Sequence, residues 1–329
     1  MTRFLTACLI WVLASAASAQ CTGTDLRPTL TGAERTELTA ATAAAPYTSG
    51  NHWRAERDGE VLHVIGTMHL GDPRLDGPTA RLAPVVENAA LLLLEITKAE
   101  EKELQKAIAT DPGMITLRDT SLPELMDAAA WQTLAEAAAE RGLPAFMAAK
   151  FQPWYLSMLL ALPPCMSAMA QEADGLDARL QKLARENGVP TRSLEPYDTI
   201  FRLFTATPLE EQIDMLGTAI LPPGAAEDQF ATLLAAYFEE AHYESWIASR
   251  ILARRDAPAP PAEMDASFDR MEQVMLTARN QAWIPVITDA LDTTEGTVVA
   301  AFGAGHLGGP GGILNLLDEA GFTLTRQPF

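Results

Sequence analysis

The feature that most constrains this sequence is the unbroken apolar run "ALLLLEI", Ala90 to Ile96, which contains one carboxylate, Glu95. Such a run is typical of a strand buried on both faces of a sheet. Helices must then cover both faces, and long stretches rich in Ala, Leu, Glu and Lys follow the run. The pattern predicts an α/β (α+β) fold, with a small central β-sheet surrounded by many long helices.

Other segments add strands to this sheet. Asp58-Gly59 lies between two alternating segments and indicates a hairpin, whose second strand carries Val61 to Ile65. "VPTRSLE", which ends at Glu195, has the character of a short strand. The chain closes with a strand "TVVAAFG", a helix "GGILNLLDEAG" and a strand "FTLTRQ".

The chain of 329 residues, 48% of them hydrophobic, is long enough to bury a large core. We expect residues 20–329 to form a single domain, with a helical insert over about 98–290 between the N-terminal and C-terminal strand units. The segments predicted to be helical are Thr22–Ser49, Lys98–Asn187, Asp198–Asp256 and Asp265–Leu291.

The first 19 residues have the features of a secretory signal peptide. Arg3 precedes the apolar stretch "FLTACLIWVLA", and the small residues "ASA" at Ala17 to Ala19 form a cleavage site. The stretch is too short for a membrane span, although an uncleaved anchor is the alternative. We expect cleavage before Gln20 and a periplasmic or secreted protein, with no membrane span in the mature chain.

Export bears on the cysteines. Cys8 leaves with the signal peptide, and in an oxidising compartment the remaining pair, Cys21 and Cys165, is predicted to form a disulfide. Such a bond stabilises a fold by about 2–4 kcal/mol. The alternatives are two buried thiols, or lipidation of Cys21, for which Gln20 is a poor preceding residue.

The formal net charge of −19 bears on the choice of partner. An acidic surface repels the phosphate backbone, so nucleic acid is excluded as an expected partner. The excess of carboxylates favours solubility and does not identify a substrate.

Two stretches share one local plan of strand, glycine, two residues and histidine: "VLHVIGTMH" with Gly66 and His69, and "TVVAAFGAGH" with Gly303 and His306. The turns after parallel strands form the ligand crevice of an α/β sheet, and glycine there permits positive φ and close backbone approach. Together with Glu95, the two histidines suit a divalent metal. The alternative is that each histidine caps a turn or is satisfied in the core.

These motifs resemble the TraB/PrgY/GumN family, which includes the animal Tiki proteins. The likeness is carried by the paired Gly-x-x-His stretches, "LLLLEI" and the ending "GAGHLGGPGGILNLLDEAGF". "ADGLDARLQKLARENGVPTRSLE" and "ARNQAWIPVI" are similar to the family's middle segments. The resemblance covers about Trp53 to Thr325 and is nearest to exported bacterial GumN-type proteins. It implies a fold related to erythromycin esterase-like and ChaN-like proteins.

The resemblance also implies a metal-dependent hydrolase of the protease or peptidase type, acting on a peptide or protein. Manganese or cobalt is favoured as the cofactor, and zinc is possible. His69 and His306 correspond to the family's metal ligands, and Glu95 to a third ligand or the general base. Arg279 would stabilise an oxyanion or orient a substrate carboxylate, the alternative being a surface salt bridge.

Three further residues are candidates for supporting the site: Asp72, Glu195 and Asn280. Asp72 could orient His69 through a hydrogen bond to the ring nitrogen that does not bind the metal, or it could form a turn before Pro73. Glu195 could belong to the site, or it could be a capping or salt-bridge residue. Asp174 or Asp177 could cap a helix. Two other functions stay open: a non-catalytic protein that binds or sequesters a peptide or haem-like ligand, and an esterase.

Overall fold

The computed structural model describes residues 23–166, 174–218, 224–256 and 260–329. The described residues contain one mixed β-sheet covered by helices, and the predicted α/β fold is confirmed. Its strands are β1 (His52–Arg57), β2 (Glu60–Thr67), β3 (Leu91–Leu94), β4 (Thr191–Ser193), β5 (Val298–Gly303) and β6 (Thr323–Arg326). The order across the sheet is β4-β3-β5-β2-β1-β6.

The parallel half of the sheet explains the apolar runs. β4, β3, β5 and β2 run parallel to their neighbours, whereas β1 is antiparallel to β2 and β6. Leu92 and Leu93 of β3 and the first three residues of β5 are fully buried, as expected for strands covered on both faces. The prediction of a doubly covered strand at Ala90 to Ile96 is therefore confirmed for its central residues.

The hairpin between β1 and β2 is also confirmed. Asp58 and Gly59 both have positive φ, 52° and 91°, as a two-residue type I′ turn requires. Arg57 and Glu60 pair directly across it, which fixes the register of β2 and the level at which its end leaves the sheet.

Helices cover the sheet and form the rest of the described structure. The predicted helix over Asp265–Leu291 starts earlier, at Pro261, and contains a π-helical turn, Gln273–Thr277, that its pattern did not indicate. Glycine, proline and turn residues divide the other helical stretches into shorter helices. The helices are α1 (Gly32–Ala44), α2 (Asp76–Glu87), α3 (Lys98–Thr110), α4 (Leu122–Leu125), α5 (Ala128–Glu140), α6 (Ala145–Ala148), α7 (Pro153–Ala161), α8 (Leu176–Glu186), α9 (Thr199–Thr205), α10 (Leu209–Thr218), α11 (Ala225–Phe238), α12 (His242–Asp256), α13 (Pro261–Glu272), α14 (Ala278–Thr293) and α15 (Ile313–Glu319).

The buried apolar residues fall into separate clusters. The main core includes residues of β2, β3 and β5 together with α2, α8, α14 and α15. A second cluster lies within the predicted insert, where Leu122, Leu134 and Leu156 pack together from α4, α5 and α7. The insert also contains β4, which pairs with β3 at the edge of the sheet. The prediction of a single domain over 20–329 stays a prediction.

The predicted signal peptide and Cys21 lie outside the described residues, so cleavage before Gln20 and the Cys21–Cys165 disulfide also remain predictions. Among the helices of the described ranges, none has both the length and the apolar character that crossing a bilayer requires.

A buried histidine supports the glycine-rich segment after β5. His242 donates from Nε2 to the Tyr47 carbonyl, at 3.1 Å. A Cβ on Gly308 would lie 2.4 Å from that carbonyl oxygen and 2.7 Å from Nε2 of His242. Only a glycine therefore fits at position 308 without displacing its neighbours.

His242 generates a prediction about acid stability. Burial lowers its pKa to about 4. Between pH 6.5 and 4 the unfolded chain therefore takes up a proton that the folded protein does not, and the free energy of unfolding decreases as the pH is lowered. His242→Gln keeps a donor for Tyr47 and removes the titration. In urea unfolding, the variant should lose less free energy of unfolding across this window than the wild type, by on the order of 3 kcal/mol at most. Parallel curves for the two proteins would contradict the assignment.

Candidate functional site

The predicted site residues meet at the carboxyl edge of the four parallel strands. Leu94 pairs with Ser193 of β4 and with Ala301 of β5, and Thr67 pairs with Gly303. The strands therefore end at one level, where α/β sheets place their ligand crevice. Each strand end supplies one side chain to this edge: Glu195 after β4, Glu95 after β3, His306 after β5 and His69 after β2.

Arg279 lies at the centre of this cluster and is only 7% exposed. Its Nε and Nη2 donate to the two carboxylate oxygens of Glu195, at 3.0 and 2.6 Å. Nη2 also donates to Oε2 of Glu95 at 2.6 Å, and Nη1 donates to Nε2 of His306 and to the Met275 carbonyl, both at 3.1 Å. A guanidinium has five N–H groups, and these five acceptors engage all of them.

The saturation of Arg279 changes the role expected for it. An oxyanion or a substrate carboxylate would need a free N–H, and the guanidinium has none in this arrangement. The hydrogen bonds to Glu195 raise the pKa of Arg279 although burial opposes its charge. Arg279 therefore acts as a permanent cation that positions Glu95, Glu195 and His306.

The hydrogen bonds of His306 define its tautomer. Asn280 donates from Nδ2 to the carbonyls of His306 and Gly311, so its Oδ1 faces Nδ1 of His306, at 2.6 Å, and accepts from it. The other ring nitrogen, Nε2, accepts from Arg279. Burial lowers the pKa of His306 to about 4, against the opposing effect of Glu95. His306 is a neutral imidazole with its proton on Nδ1.

Glu95 is an anion held by the backbone and by Arg279. Its Oε1 accepts from the Gly303 amide at 2.8 Å. Burial acts to raise the pKa of Glu95, but its electrostatic interactions with His306, His69 and Arg279 and the hydrogen bond from the Gly303 amide lower it to about 2. A carboxylate with so low a pKa is a weak general base near neutral pH and remains available as a ligand for a cation.

His69 forms the outer part of the site, and its side chain is 62% exposed. Nε2 lies 3.7 Å from Oε1 of Glu95, and Nδ1 lies 3.3 Å from Oδ1 of Asp177. The Asp177 carboxylate raises the pKa of His69 to about 9. Asp177 was predicted only as a possible helix cap, but α8 has no side-chain cap. A Cβ on Gly175 would lie 2.4 Å from the backbone of His69. The glycine of "ADGLD" is therefore the sequence feature that could have indicated that the start of α8 lies against His69.

Of the three supporting candidates, two belong to the site and one does not. Glu195 and Asn280 contact Arg279 and His306 as described above. Asp72 instead accepts from the backbone and side chain of Arg74 and begins a 3-10 turn at Pro73. These hydrogen bonds are those of the turn residue that was the alternative for Asp72, and none of the described hydrogen bonds or ion pairs joins it to His69.

Trp283 is a site residue that the sequence argument missed. Its Nε1 donates to Oε2 of Glu195 at 3.0 Å, and its ring centroid lies 4.5 Å from that of His306. Positions 279 and 283 of α14 are one helical turn apart and share a face. The spacing within "RNQAW" could therefore have indicated it.

The two motif glycines provide space and not positive φ. Neither Gly66 nor Gly303 has a positive φ, which corrects that part of the expectation. A Cβ on Gly66 would lie 2.5 Å from the Leu307 side chain. A Cβ on Gly303 would lie 3.3 Å from Oε1 of Glu95, 3.8 Å from Cδ2 of His306 and 3.9 Å from Nε2 of His69. Glu95 and both imidazoles therefore surround one point above Gly303.

The donor set suits a divalent metal in its chemistry. Each imidazole has its Nδ1 beside a side-chain oxygen, Asp177 for His69 and Asn280 for His306, as metal-ligating histidines do. However, Nε2 of His306 is engaged by Arg279. Within the described parts of the chain, no three His, Cys, Asp or Glu side chains stand close enough together to hold an ion as they are placed. Metal binding therefore stays a proposal.

Glu195 generates a prediction about stability. In Glu195→Gln, an amide N–H would face the donors of Arg279 or Trp283, and one charge of a buried pair would be lost. We expect a loss of on the order of 3 kcal/mol in the free energy of unfolding, measured in urea. Asp289→Asn breaks the exposed Arg192–Asp289 pair and should cost less than about 1 kcal/mol. Equal effects of the two changes would contradict the buried network.

Two comparisons with known proteins bear on this site. A model of the TraB/PrgY/gumN family matches residues 51–326, a range that contains all four strand ends and Arg279. No curated protein matches the chain.

Proposed function

Because this chain belongs to the TraB/PrgY/gumN family, we propose that it is a metal-dependent hydrolase that acts on peptide bonds. The observation that carries the proposal is the convergence of Glu95, His69 and His306 on one point above Gly303. Two imidazoles and a carboxylate are a common ligand set of catalytic divalent metals.

In this proposal His69, Glu95 and His306 hold the ion, with manganese or cobalt favoured over zinc. When bound, a divalent cation polarises a substrate carbonyl and lowers the pKa of water at the site to about 7. The Asp177 carboxylate beside Nδ1 of His69 and the Asn280 oxygen beside Nδ1 of His306 fix the two rings. The anionic state of Glu95 is secured by Arg279 and the Gly303 amide.

The substrate reaches the site from the His69 side. His69 is largely exposed, whereas Arg279, Glu195 and His306 are buried. The scissile bond would therefore lie against His69 and Glu95, and the buried half of the cluster would hold these groups without touching the substrate.

A panel of peptides and small esters tests the function. Protein freed of metal with a chelator and reloaded with manganese, cobalt or zinc should cleave peptides, with products identified by mass spectrometry. His69→Ala and Glu95→Gln should lower the rate by roughly a hundredfold or more, because each removes a metal ligand. Asp72→Asn, on the same turn as His69 but outside the site, should retain the wild-type rate.

The same panel separates the alternatives. Cleavage of esters but not of peptides would contradict peptidase activity and favour an esterase. Cleavage that persists in chelator, or in His69→Ala, would contradict the proposed metal site.

A non-catalytic binding protein is the second candidate, and the saturation of Arg279 favours it, because the buried half of the cluster presents no free donor for a transition state. Tight binding of a peptide without turnover under every metal, or a Soret band from a bound haem-like ligand, would support this function over hydrolysis.

We further propose that the chain is exported and that its first 19 residues are removed. The mature protein recovered from the periplasm or the medium should begin at Gln20. Non-reducing peptide mapping should recover one cross-linked pair that contains Cys21 and Cys165. Retention of residues 1–19, or recovery of both cysteines as separate thiol peptides, would contradict this part of the proposal.

A further inference from the structure

Beside His69 the crevice continues into a small cavity of about 220 Å³. It lies among the ends of β2, β3 and β5, the start of α3 and the first turns of α8. Apolar residues of β3, β5 and α8 form part of its wall. Its polar and charged lining residues are Thr67, His69, Glu95, Glu101, Asp177 and Gln181.

The lining of this cavity carries more negative than positive charge. Three carboxylates line it, against one basic side chain, His69, and no lysine or arginine is among the described residues of its wall. Glu95 is paired with Arg279, and Asp177 lies beside His69. Glu101 pairs with Lys98, an i,i+3 contact whose lysine is half exposed and which contributes little. The cavity therefore disfavours an anion and favours a cation.

Thr67 is a second, independent indication of a ligand. It is 2% exposed, it lines the cavity, and its Oγ1 has no hydrogen-bond partner among the described residues. Buried hydroxyls are almost always hydrogen-bonded, and an unmade hydrogen bond of this kind is costly. A donor supplied by a ligand in the cavity would satisfy it.

We infer that this cavity is a subsite for a primary ammonium group of the substrate. An ammonium has three N–H donors and no acceptor, which matches a hydroxyl and carboxylates contributed by separate elements: Thr67 of β2, Glu101 of α3 and Asp177 of α8.

The location of the subsite defines the substrate more closely. This step rests on the proposed hydrolase function. Because the cavity adjoins His69, the ammonium belongs to the residue next to the scissile bond. It is either the free amino terminus of a peptide or the side chain of a lysine.

Binding to the metal-free protein, measured by calorimetry, tests the subsite without requiring turnover. The probes are Ala-Ala-Ala amide, its N-acetyl form, N-acetyl-Ala-Lys-Ala amide and the norleucine equivalent of the last. At least one charged probe should bind about tenfold tighter than its uncharged partner. The first pair reports an amino terminus, and the second reports a lysine side chain.

Two variants and a control locate the effect. Thr67→Val and Glu101→Gln should each reduce the charged-probe preference severalfold. Thr67→Val should also keep or raise the Tm, because it removes a buried hydroxyl to which no described residue hydrogen-bonds. Glu103→Gln, an exposed change on α3, should leave the preference unchanged.

The outcomes separate the two proposals. Equal binding of charged and uncharged probes, no binding of any probe, or an undiminished preference in both variants would overturn the subsite. An ammonium preference without cleavage of any peptide would keep the subsite and overturn the hydrolase. Metal-dependent cleavage without that preference would keep the hydrolase and overturn the subsite.

Discussion

The buried guanidinium of Arg279 is the interaction on which the rest of the site depends. Two carboxylates, an imidazole and a main-chain carbonyl meet at a sheet edge where water is largely excluded, and such a set of acceptors is costly to bury without donors. Arg279 supplies one N–H to each of the five acceptor atoms. Its charge helps to keep Glu95 ionised, and burial together with the contact of Arg279 with Nε2 keeps His306 neutral.

The parallel strands give that cation its acceptors. Four strand ends lie at one level, so residues far apart in the chain come within hydrogen-bond distance. Gly303 allows Glu95 and both histidines to approach the backbone, and any larger residue would occupy the space between them. The site is divided as a result: the half around Arg279 is saturated with hydrogen bonds, and the half around His69 is open to solvent and to the small acidic cavity.

Much of this arrangement could be predicted from the sequence. The alternating hairpin, the apolar run ending in Glu95 and the repeated Gly-x-x-His plan placed His69, Glu95 and His306 at neighbouring strand ends, because parallel strands share the edge at which they end. Those signals lie within single elements and depend on periodicity and turn chemistry, which act locally.

Contacts between elements could not be read in the same way. Asp177 contacts His69 because α8 crosses next to the turn after β2, and the rotation of a helix about its axis is determined by packing. The π-helical turn before Arg279 had no recognisable pattern, yet it presents the Met275 carbonyl to the guanidinium. Asp72 likewise accepts hydrogen bonds from Arg74. Its position close to His69 in the sequence did not indicate this.

The imidazole nitrogens of the protein's five histidines provide the most direct test of the central claim, that His69, His306 and Glu95 surround one point beside Arg279 at which a divalent cation binds. The measurement is a two-dimensional ¹H–¹⁵N spectrum of the imidazole rings, recorded on metal-free protein before and after addition of Zn²⁺. We expect His306 to show the neutral form with its proton on Nδ1, and Zn²⁺ to shift Nε2 of both His69 and His306 while the other three histidines stay unchanged. A His306 proton on Nε2, or shifts confined to histidines outside the site, would contradict the account.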